Sequence, residues 1–165
     1  MTTGVVVFTR DLRVHDHPAL AAAIREHKSI VPVFVFDDAV ARADFRPANR
    51  TAFMLESLAD LDSSLQSRGA TLIYRQGNWA EEVLALAEEV SASAIHLSED
   101  VSGFSTRRIA QLTERARGSE IRVQAHPGVM VISPGDVLPT GGDHFKVFTP
   151  YYRKWLALPW RTPGR

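Results

Sequence analysis

The sequence predicts an α/β fold: a Rossmann-like, open parallel sheet of five strands with helices on both faces. Two observations carry this prediction. Short apolar runs alternate along the chain with longer amphipathic stretches, and runs such as residues 5–8 and 30–36 are continuously apolar. Continuous runs are typical of strands covered on both faces. Strands that alternate with helices pair in parallel through right-handed crossovers, which place helices on both sides of the sheet.

Each predicted strand is a short run of apolar, often β-branched residues. The first two runs are the clearest, and the other three are shorter. The predicted strands cover residues 5–8, 30–36, 72–74, 94–97 and 121–123.

The first two helices are predicted from their ends and their apolar faces. Pro18 suits the first position of a helix, where its missing N–H costs nothing, and residues 19–25 are good helix formers. A second helix is expected over residues 49–68, and Gly69 would end it. Its apolar residues recur every three or four positions, which places them on one face. They are Met54, Leu58, Leu61 and Leu65.

Two more helices follow the same logic. Residues 80–90 carry an apolar stripe, and Ser105 or Thr106 is expected to cap a helix that ends at Gly118. The predicted order is therefore β-α-β-α-β-α-β-α-β.

The last part of the chain differs in composition. Residues 127–150 are rich in proline and glycine, which predicts an irregular segment packed over the sheet. A short helix is predicted over residues 151–158. We expect residues 1–150 to form one α/β domain and residues 151–165 to begin a linker to a further domain.

Composition excludes several classes of function. The 165 residues are 45% hydrophobic and 23% charged, which indicates one globular core. Nineteen basic and nineteen acidic residues give zero net charge, which argues against broad coating of nucleic acid. The lack of cysteine removes disulfides, cysteine-bound metals and thiol nucleophiles. With no long apolar run and no secretory signal, the protein is expected to be soluble and cytoplasmic, without membrane contact.

Sequence motifs for catalysis are also missing. The chain has no G-x-G-x-x-G dinucleotide fingerprint, no phosphate-binding G-x-x-x-x-G-K-[ST] and no G-x-S-x-G elbow. The six histidines form no i,i+4 pair backed by a carboxylate motif. We therefore expect no catalytic residue and no metal ligands.

A ligand site is nevertheless predicted by the fold. Open α/β sheets bind ligands beyond the carboxyl ends of their strands, where the winding reverses. The segments at those ends are residues 9–13, 37–38, 76–78 and 98–105.

Two basic side chains follow the first strand. Arg10 or Arg13 could bind a phosphate or carboxylate through two parallel hydrogen bonds. The alternative is structural, since Arg13 could pair with Asp11 or Asp16 and hold the loop.

Two carboxylates, Asp37 and Asp38, end the second strand. Open α/β sheets often place a carboxylate here on a ribose hydroxyl, but capping of the next turn is an equal alternative.

Aromatic residues are concentrated near the end of the chain. We interpret them as anchors for the core or for another domain rather than as a surface that stacks bases. These residues are Trp79, in the middle of the chain, and Tyr151, Tyr152, Trp155 and Trp160, near its end.

Three sequence blocks together resemble one known family. Residues 8–20 (FTRDLRVHDHPAL) closely resemble the opening W-F-R-x-D-L-R-x-x-D-N-x-A-L of the DNA photolyase/cryptochrome family. Residues 53–61 (FMLESLADL) are similar to its F-L-x-E-S-L-x-D-L helix, and residues 145–155 (FKVFTPYYRKW) to its Y-x-V-F-T-P-F-x-x-x-W segment. The three blocks occur in the family's order and span the whole chain.

The resemblance implies an N-terminal α/β domain that holds a light-harvesting antenna chromophore. In the family, a larger helical C-terminal domain binds FAD, engages DNA and performs light-driven repair of pyrimidine dimers. The present chain would then be non-catalytic, with that domain as its partner. Three residues depart from the family pattern: Val7 stands for Trp, Thr9 for the first Arg and His17 for Asn.

The resemblance also bears on which antenna is bound. Folate-binding members carry an Asn-Glu pair where Phe104 and Ser105 stand here, whereas residues 100–108 resemble the deazaflavin-type D-x-E-P-Y-x-R-x-R stretch. Deazaflavin or flavin, or an empty pocket, is therefore expected over folate. The residues expected around the chromophore are Arg10, Phe36, Asp37, Asp38, Asn49, Asp100, Val101, Phe104 and Arg107.

Two alternative functions remain open at this point. The same strand-end crevice would suit a stand-alone nucleotide-binding or stress-type protein, although the glycine-rich loop is missing. The second alternative is a purely structural protein. It would dock onto a partner or self-associate through its aromatic tail, around Tyr152 and Trp155.

Overall fold

The computed structural model describes residues 2–41 and 47–164. It contains a five-stranded sheet in the order β3-β2-β1-β4-β5, and all four strand pairs are parallel. The predicted fold class is confirmed. The strands are β1 (Thr3–Phe8), β2 (Ser29–Asp37), β3 (Ile73–Gly77), β4 (Ala92–Ser98) and β5 (Arg122–His126).

Helices connect the strands, and a further helix follows the sheet. They are α1 (Pro18–Glu26), α2 (Asp38–Ala41), α3 (Ala48–Gln66), α4 (Trp79–Glu89), α5 (Gly103–Arg115) and α6 (Phe148–Ala157).

Two apolar layers enclose the sheet because successive side chains of each central strand point to opposite faces. Val6 and Phe8 of β1 pack against α1 and α3. Val5 and Val7 pack on the other face against α4 and α5. Helices therefore cover both faces, as the continuous apolar runs predicted.

Several element boundaries differ from the sequence prediction. Helix α5 is capped by Ser102, whose hydroxyl accepts a hydrogen bond from the Ser105 N–H at 3.3 Å, and not by Ser105 or Thr106. Helix α6 begins at Phe148 because Pro150 lies in its first turn, where no N–H is required.

The two edge strands are also displaced from the predicted positions. Strand β3 ends at Gly77 rather than residue 74, and β5 ends at His126 rather than residue 123. Both continue through polar side chains, which edge strands tolerate because they are only partly covered. Apolar runs alone therefore miss their second halves.

The sheet order creates a crevice. Strands β1 and β4 are neighbours although α1, β2, α2, α3, β3 and α4 separate them in the chain, so the winding reverses between them. Beyond β5 the described chain is irregular up to α6 apart from a 3-10 turn at Pro134–Asp136. No helix among the described residues is long and apolar enough to cross a bilayer.

Candidate functional site

A cleft of about 400 Å³ lies at the carboxyl ends of β1, β2 and β4, between α3 and α5. Phe8 and Leu97, both buried, belong to its floor, while Phe36, Trp79 and Phe104 contribute aromatic surface. The cleft is thus at the sheet edge and the reversal point that the sequence predicted. Its polar lining residues are Thr9, Arg10, Asp37, Arg50, Ser98, Asp100, Ser102, Ser105 and Arg108.

Arg108 of α5 is the least exposed of the three arginines that line the cleft in the described part of the chain. Its guanidinium carbon lies 4.1 Å from the ring centre of Trp79 and 5.2 Å from that of Phe104. Its Nε is 3.6 Å from Oδ2 of Asp37. Burial lowers the pKa of Arg108 to about 10, and the Asp37 charge opposes that shift. The side chain therefore remains positively charged at neutral pH while it lies against two aromatic rings.

Asp37 connects the cleft to the following turn. It is the last residue of β2, and its Oδ1 accepts a hydrogen bond from the Ala39 N–H at 2.9 Å. Its side chain is 8% exposed. Asp37 thus fills the capping role that the sequence left open and also faces Arg108.

An ion pair closes one side of the cleft. Nη1 of Arg10 lies 2.6 Å from Oδ2 of Asp100, and the Arg10 side chain is 67% exposed. Oδ1 of Asp100 accepts a hydrogen bond from the Ser102 N–H at 2.9 Å. That backbone hydrogen bond, and then Arg10, lower the pKa of Asp100 against the opposing effect of burial. The pair joins the loop after β1 to the loop after β4.

The structure brings together five of the nine residues expected around a chromophore. Arg10, Phe36, Asp37, Asp100 and Phe104 all line the cleft.

The other four expected residues lie outside this lining. Asp38 begins α2, and Val101 is 62% exposed. Asn49 is exposed in the first turn of α3, where its Oδ1 accepts a hydrogen bond from the Arg50 N–H at 2.9 Å. Arg107 is exposed and lines a neighbouring cavity of about 180 Å³.

Sequence reasoning missed several lining residues, above all Arg108 and Trp79. One signal for Arg108 was present, since residues four apart share a helix face and Phe104 was already expected in the site. Trp79 had been interpreted only as an anchor; it is buried and also faces the cleft. Further missed residues are Val40, Arg50, Met54 and Ile109.

The loop between β1 and α1 is held by buried polar contacts. Nδ1 of His17 accepts a hydrogen bond from the Leu20 N–H at 3.1 Å, which caps α1 and places the ring proton on Nε2. That Nε2 lies 2.9 Å from Oδ2 of Asp11. The hydroxyl of Ser98 donates a hydrogen bond to the same carboxylate oxygen. His17 thus caps the helix at the position where the family usually has Asn.

Arg13 has a structural role in the same loop. Its guanidinium donates hydrogen bonds to the backbone carbonyls of His15, Asp16 and Gly128 at 3.1, 2.7 and 3.0 Å. It binds carbonyls rather than the Asp11 or Asp16 carboxylates that the sequence suggested. The Asp16 carboxylate is instead bonded by Arg161.

Comparison with known proteins agrees with this fold. The family model described as DNA photolyase matches residues 4–164. The chain is 46% identical over 159 residues to the deoxyribodipyrimidine photo-lyase of Streptomyces griseus, covering 95% of this chain and 35% of that protein.

Two solved structures have the same fold. An archaeal photolyase from Sulfolobus tokodaii matches with a TM-score of 0.84 and 26% identity, over 99% of this chain and 36% of that one. A class III photolyase from Agrobacterium tumefaciens matches with a TM-score of 0.88 and 22% identity, over 99% and 33%.

The fold and these matches therefore define an α/β domain of the kind found at the N-terminus of photolyases. The chain belongs to the DNA photolyase family. It spans about a third of the length of the Streptomyces relative.

Proposed function

We propose that this chain binds a planar antenna chromophore, a deazaflavin or flavin in preference to folate, in the cleft at the ends of β1, β2 and β4. The observation that carries the proposal is the contact of the Arg108 guanidinium with the rings of Trp79 and Phe104 in the cleft lining. Aromatic surface binds a planar ring system, and a cation beside it favours an electron-rich or anionic one.

The cleft fits such a group. A volume of about 400 Å³ lies within the range of roughly 300–1,000 Å³ typical of small-molecule sites. The apolar lining from Phe36, Met54 and Phe104 would hold the ring system. Arg10 and Arg50 would meet hydroxyl or phosphate groups of a side chain. A flavin antenna also accords with the Sulfolobus relative, which is described as containing two FAD molecules with the implication of a novel light-harvesting cofactor.

In the whole protein, the chromophore would absorb light and pass the energy to FAD in a C-terminal helical domain. DNA would be bound, and pyrimidine dimers repaired, through that domain. Residues 1–150 would form the antenna domain and residues 151–165 the start of the connection. Helix α6 offers an apolar surface for the partner domain, since Phe148 is 71% and Tyr152 44% exposed.

Chromophore titration tests the proposal. The purified chain is mixed with an 8-hydroxy-5-deazaflavin, FMN, FAD or a reduced folate, and binding is followed by fluorescence and near-ultraviolet absorption. We expect micromolar binding of a deazaflavin or flavin, weaker folate binding, and about 10-fold weaker chromophore binding in Arg108→Ala. Arg117→Ala is the matched control, because its exposed side chain lines neither the cleft nor the neighbouring cavity, and it should bind as wild type.

Two results would contradict the proposal. Failure of all four chromophores to bind at micromolar concentration would remove the antenna role. Tight binding of ATP by calorimetry, with no chromophore binding, would favour the nucleotide-binding alternative for the same cleft.

A further inference from the structure

Three histidines from distant parts of the chain form a continuous row of rings beside α1. His27 follows α1, His96 lies within β4 and His126 ends β5. Nε2 of His27 is 2.9 Å from Nε2 of His96, and Nδ1 of His96 is 3.0 Å from Nε2 of His126. His27 and His96 are buried, and none of the three lines the chromophore cleft.

The surrounding chain makes room for these rings. A Cβ atom on Gly4 would lie 2.4 Å from Cδ2 of His27, so the ring occupies the space that a side chain at this position would fill. The rings of His96 and His126 stack with their centres 5.2 Å apart and their planes 13° from parallel. The position of each ring is therefore set by the fold.

A carboxylate completes the group. One donor atom from each of Glu26, His27 and His96 lies within 4.8 Å of the other two. Gln124 donates a hydrogen bond to Oε2 of Glu26 at 3.1 Å, which orients the carboxylate. Nη2 of Arg122 lies 3.9 Å from the same oxygen and offsets part of its charge. The Glu26 side chain is 38% exposed, so the group is open to solvent on one side.

Two imidazoles and one carboxylate are a ligand set that suits Zn²⁺ and neighbouring divalent transition metals. The two Nε2 atoms face each other across 2.9 Å, whereas a tetrahedral ion bound at about 2.0–2.1 Å holds its ligand nitrogens about 3.3 Å apart. The rings would need to separate by only about 0.4 Å to admit the ion.

The hydrogen-bond pattern is compatible with bound metal. If Nε2 of His96 binds an ion, Nδ1 of His96 carries the ring proton and donates a hydrogen bond to Nε2 of His126. Metal-bound histidines usually donate their other N–H in this way, which fixes the ring. Nε2 of His27 now shares a hydrogen bond with Nε2 of His96, which the ion would replace. Nδ1 of His27 would then carry the ring proton, and it has no hydrogen-bond acceptor among the described residues.

We propose that Glu26, His27 and His96 form a binding site for a divalent transition-metal ion, with Zn²⁺ the best match. His126 supports His96 from behind, and water fills the remaining coordination position. The ion would tie the end of α1 to β4 and stabilise the domain. This site does not depend on the proposed chromophore site.

The test uses the full chain without a histidine tag, stripped of metal with a chelator. Zn²⁺ is titrated by calorimetry and the melting temperature is recorded at each concentration. We expect one ion per chain and a melting temperature that rises with Zn²⁺ concentration. Glu26→Gln keeps the shape of a partly exposed side chain and should weaken binding at least 10-fold. Control variant His144→Gln alters a histidine that lies beside Asp143 on the surface and should bind as wild type.

A spectroscopic measurement on the wild type avoids any folding defect in variants of the buried histidines. Ring-nitrogen NMR should show Zn²⁺ shifting the Nε2 signals of His27 and His96 and leaving those of His15 and His144 in place. The proposal is overturned if Zn²⁺ does not bind saturably below millimolar concentration, if Glu26→Gln binds as tightly as wild type, or if the His27 and His96 signals do not move.

Discussion

The guanidinium of Arg108 lies 4.1 Å above the ring of Trp79, which joins the middle of α5 to the first residue of α4. The same arginine faces Asp37 at the end of β2. One side chain thus connects three elements around the cleft, and its removal should affect stability as well as binding.

Replacement of Arg108 by Met keeps most of the side-chain volume but removes the charge. We expect the free energy of unfolding to fall by about 1 kcal/mol. The variant loses the cation–π contact with Trp79, and the largely buried Asp37 carboxylate loses the positive charge beside it. Urea denaturation measures the change. Arg107→Met, one residue away and exposed, should alter stability by less than about 0.5 kcal/mol. Equal losses in both variants would show that the stacking contributes nothing specific.

Asp11 should make the domain acid-sensitive. Burial alone would raise the pKa of Asp11, but contacts with His17 and Ser98 outweigh it and hold the pKa below its usual range. The folded state therefore binds fewer protons than the unfolded state in acid, and stability falls as pH drops through 4 and below. In wild type, we expect Asp11 to account for a loss of unfolding free energy on the order of 2 kcal/mol in acid. Asp11→Asn should remove this part of the pH dependence.

Denaturant unfolding at a series of pH values between 2 and 7 measures this effect. Asp136→Asn is a suitable control because Asp136 is exposed, and its acid dependence should equal that of wild type. If the free energy of unfolding of Asp11→Asn falls in acid as steeply as that of wild type, Asp11 does not cause the acid sensitivity.

Gly4 should tolerate no side chain. The Cβ of Gly4→Ala would lie 2.4 Å from the His27 ring, and the resulting overpacking should lower the free energy of unfolding by about 1–3 kcal/mol. Gly141→Ala is the matched control, since nothing lies within 4 Å of its added Cβ. Thermal unfolding compares the two. A Gly4→Ala protein as stable as Gly141→Ala would mean that the His27 ring shifts at no cost.

The end of the chain is held by Asp16. Its Oδ2 lies 2.8 Å from Nη2 of Arg161, and its Oδ1 accepts a hydrogen bond from the Gly164 N–H at 3.0 Å. Arg161, followed by Gly164, lowers the pKa of Asp16 to about 2, so the pair stays ionised at neutral pH. Arg161→Ala should release the segment after α6.

Limited proteolysis with chymotrypsin measures this release, because the segment around Trp160 contains its cleavage sites. We expect severalfold faster cleavage near Trp160 in Arg161→Ala, and a smaller difference in high salt, which screens the ion pair. Arg153→Ala, exposed on α6, should be cleaved like wild type. Identical rates in all three proteins would indicate that the Asp16 contacts do not order the segment.

The architecture, and the sheet edge at which the cleft lies, could be predicted from the residues alone. Continuous apolar runs separated by amphipathic helices admit few topologies, since crossovers are right-handed and parallel strands must be covered on both faces. The three motif blocks pointed to the family that the comparisons then showed. Strand-end segments such as those containing Arg10, Asp37 and Asp100 were predicted to meet because the carboxyl ends of parallel strands share one edge.

Which side chains face each other depends on how the elements pack in three dimensions. Consecutive side chains on a helix point in directions about 100° apart. The sequence does not fix the rotation of α5 about its axis closely enough to tell whether Arg107 or Arg108 faces the cleft. The row of His27, His96 and His126 arises from three elements that are distant in the chain. No local spacing encodes it, because the contacts depend on the order of strands in the sheet and on the space left by Gly4.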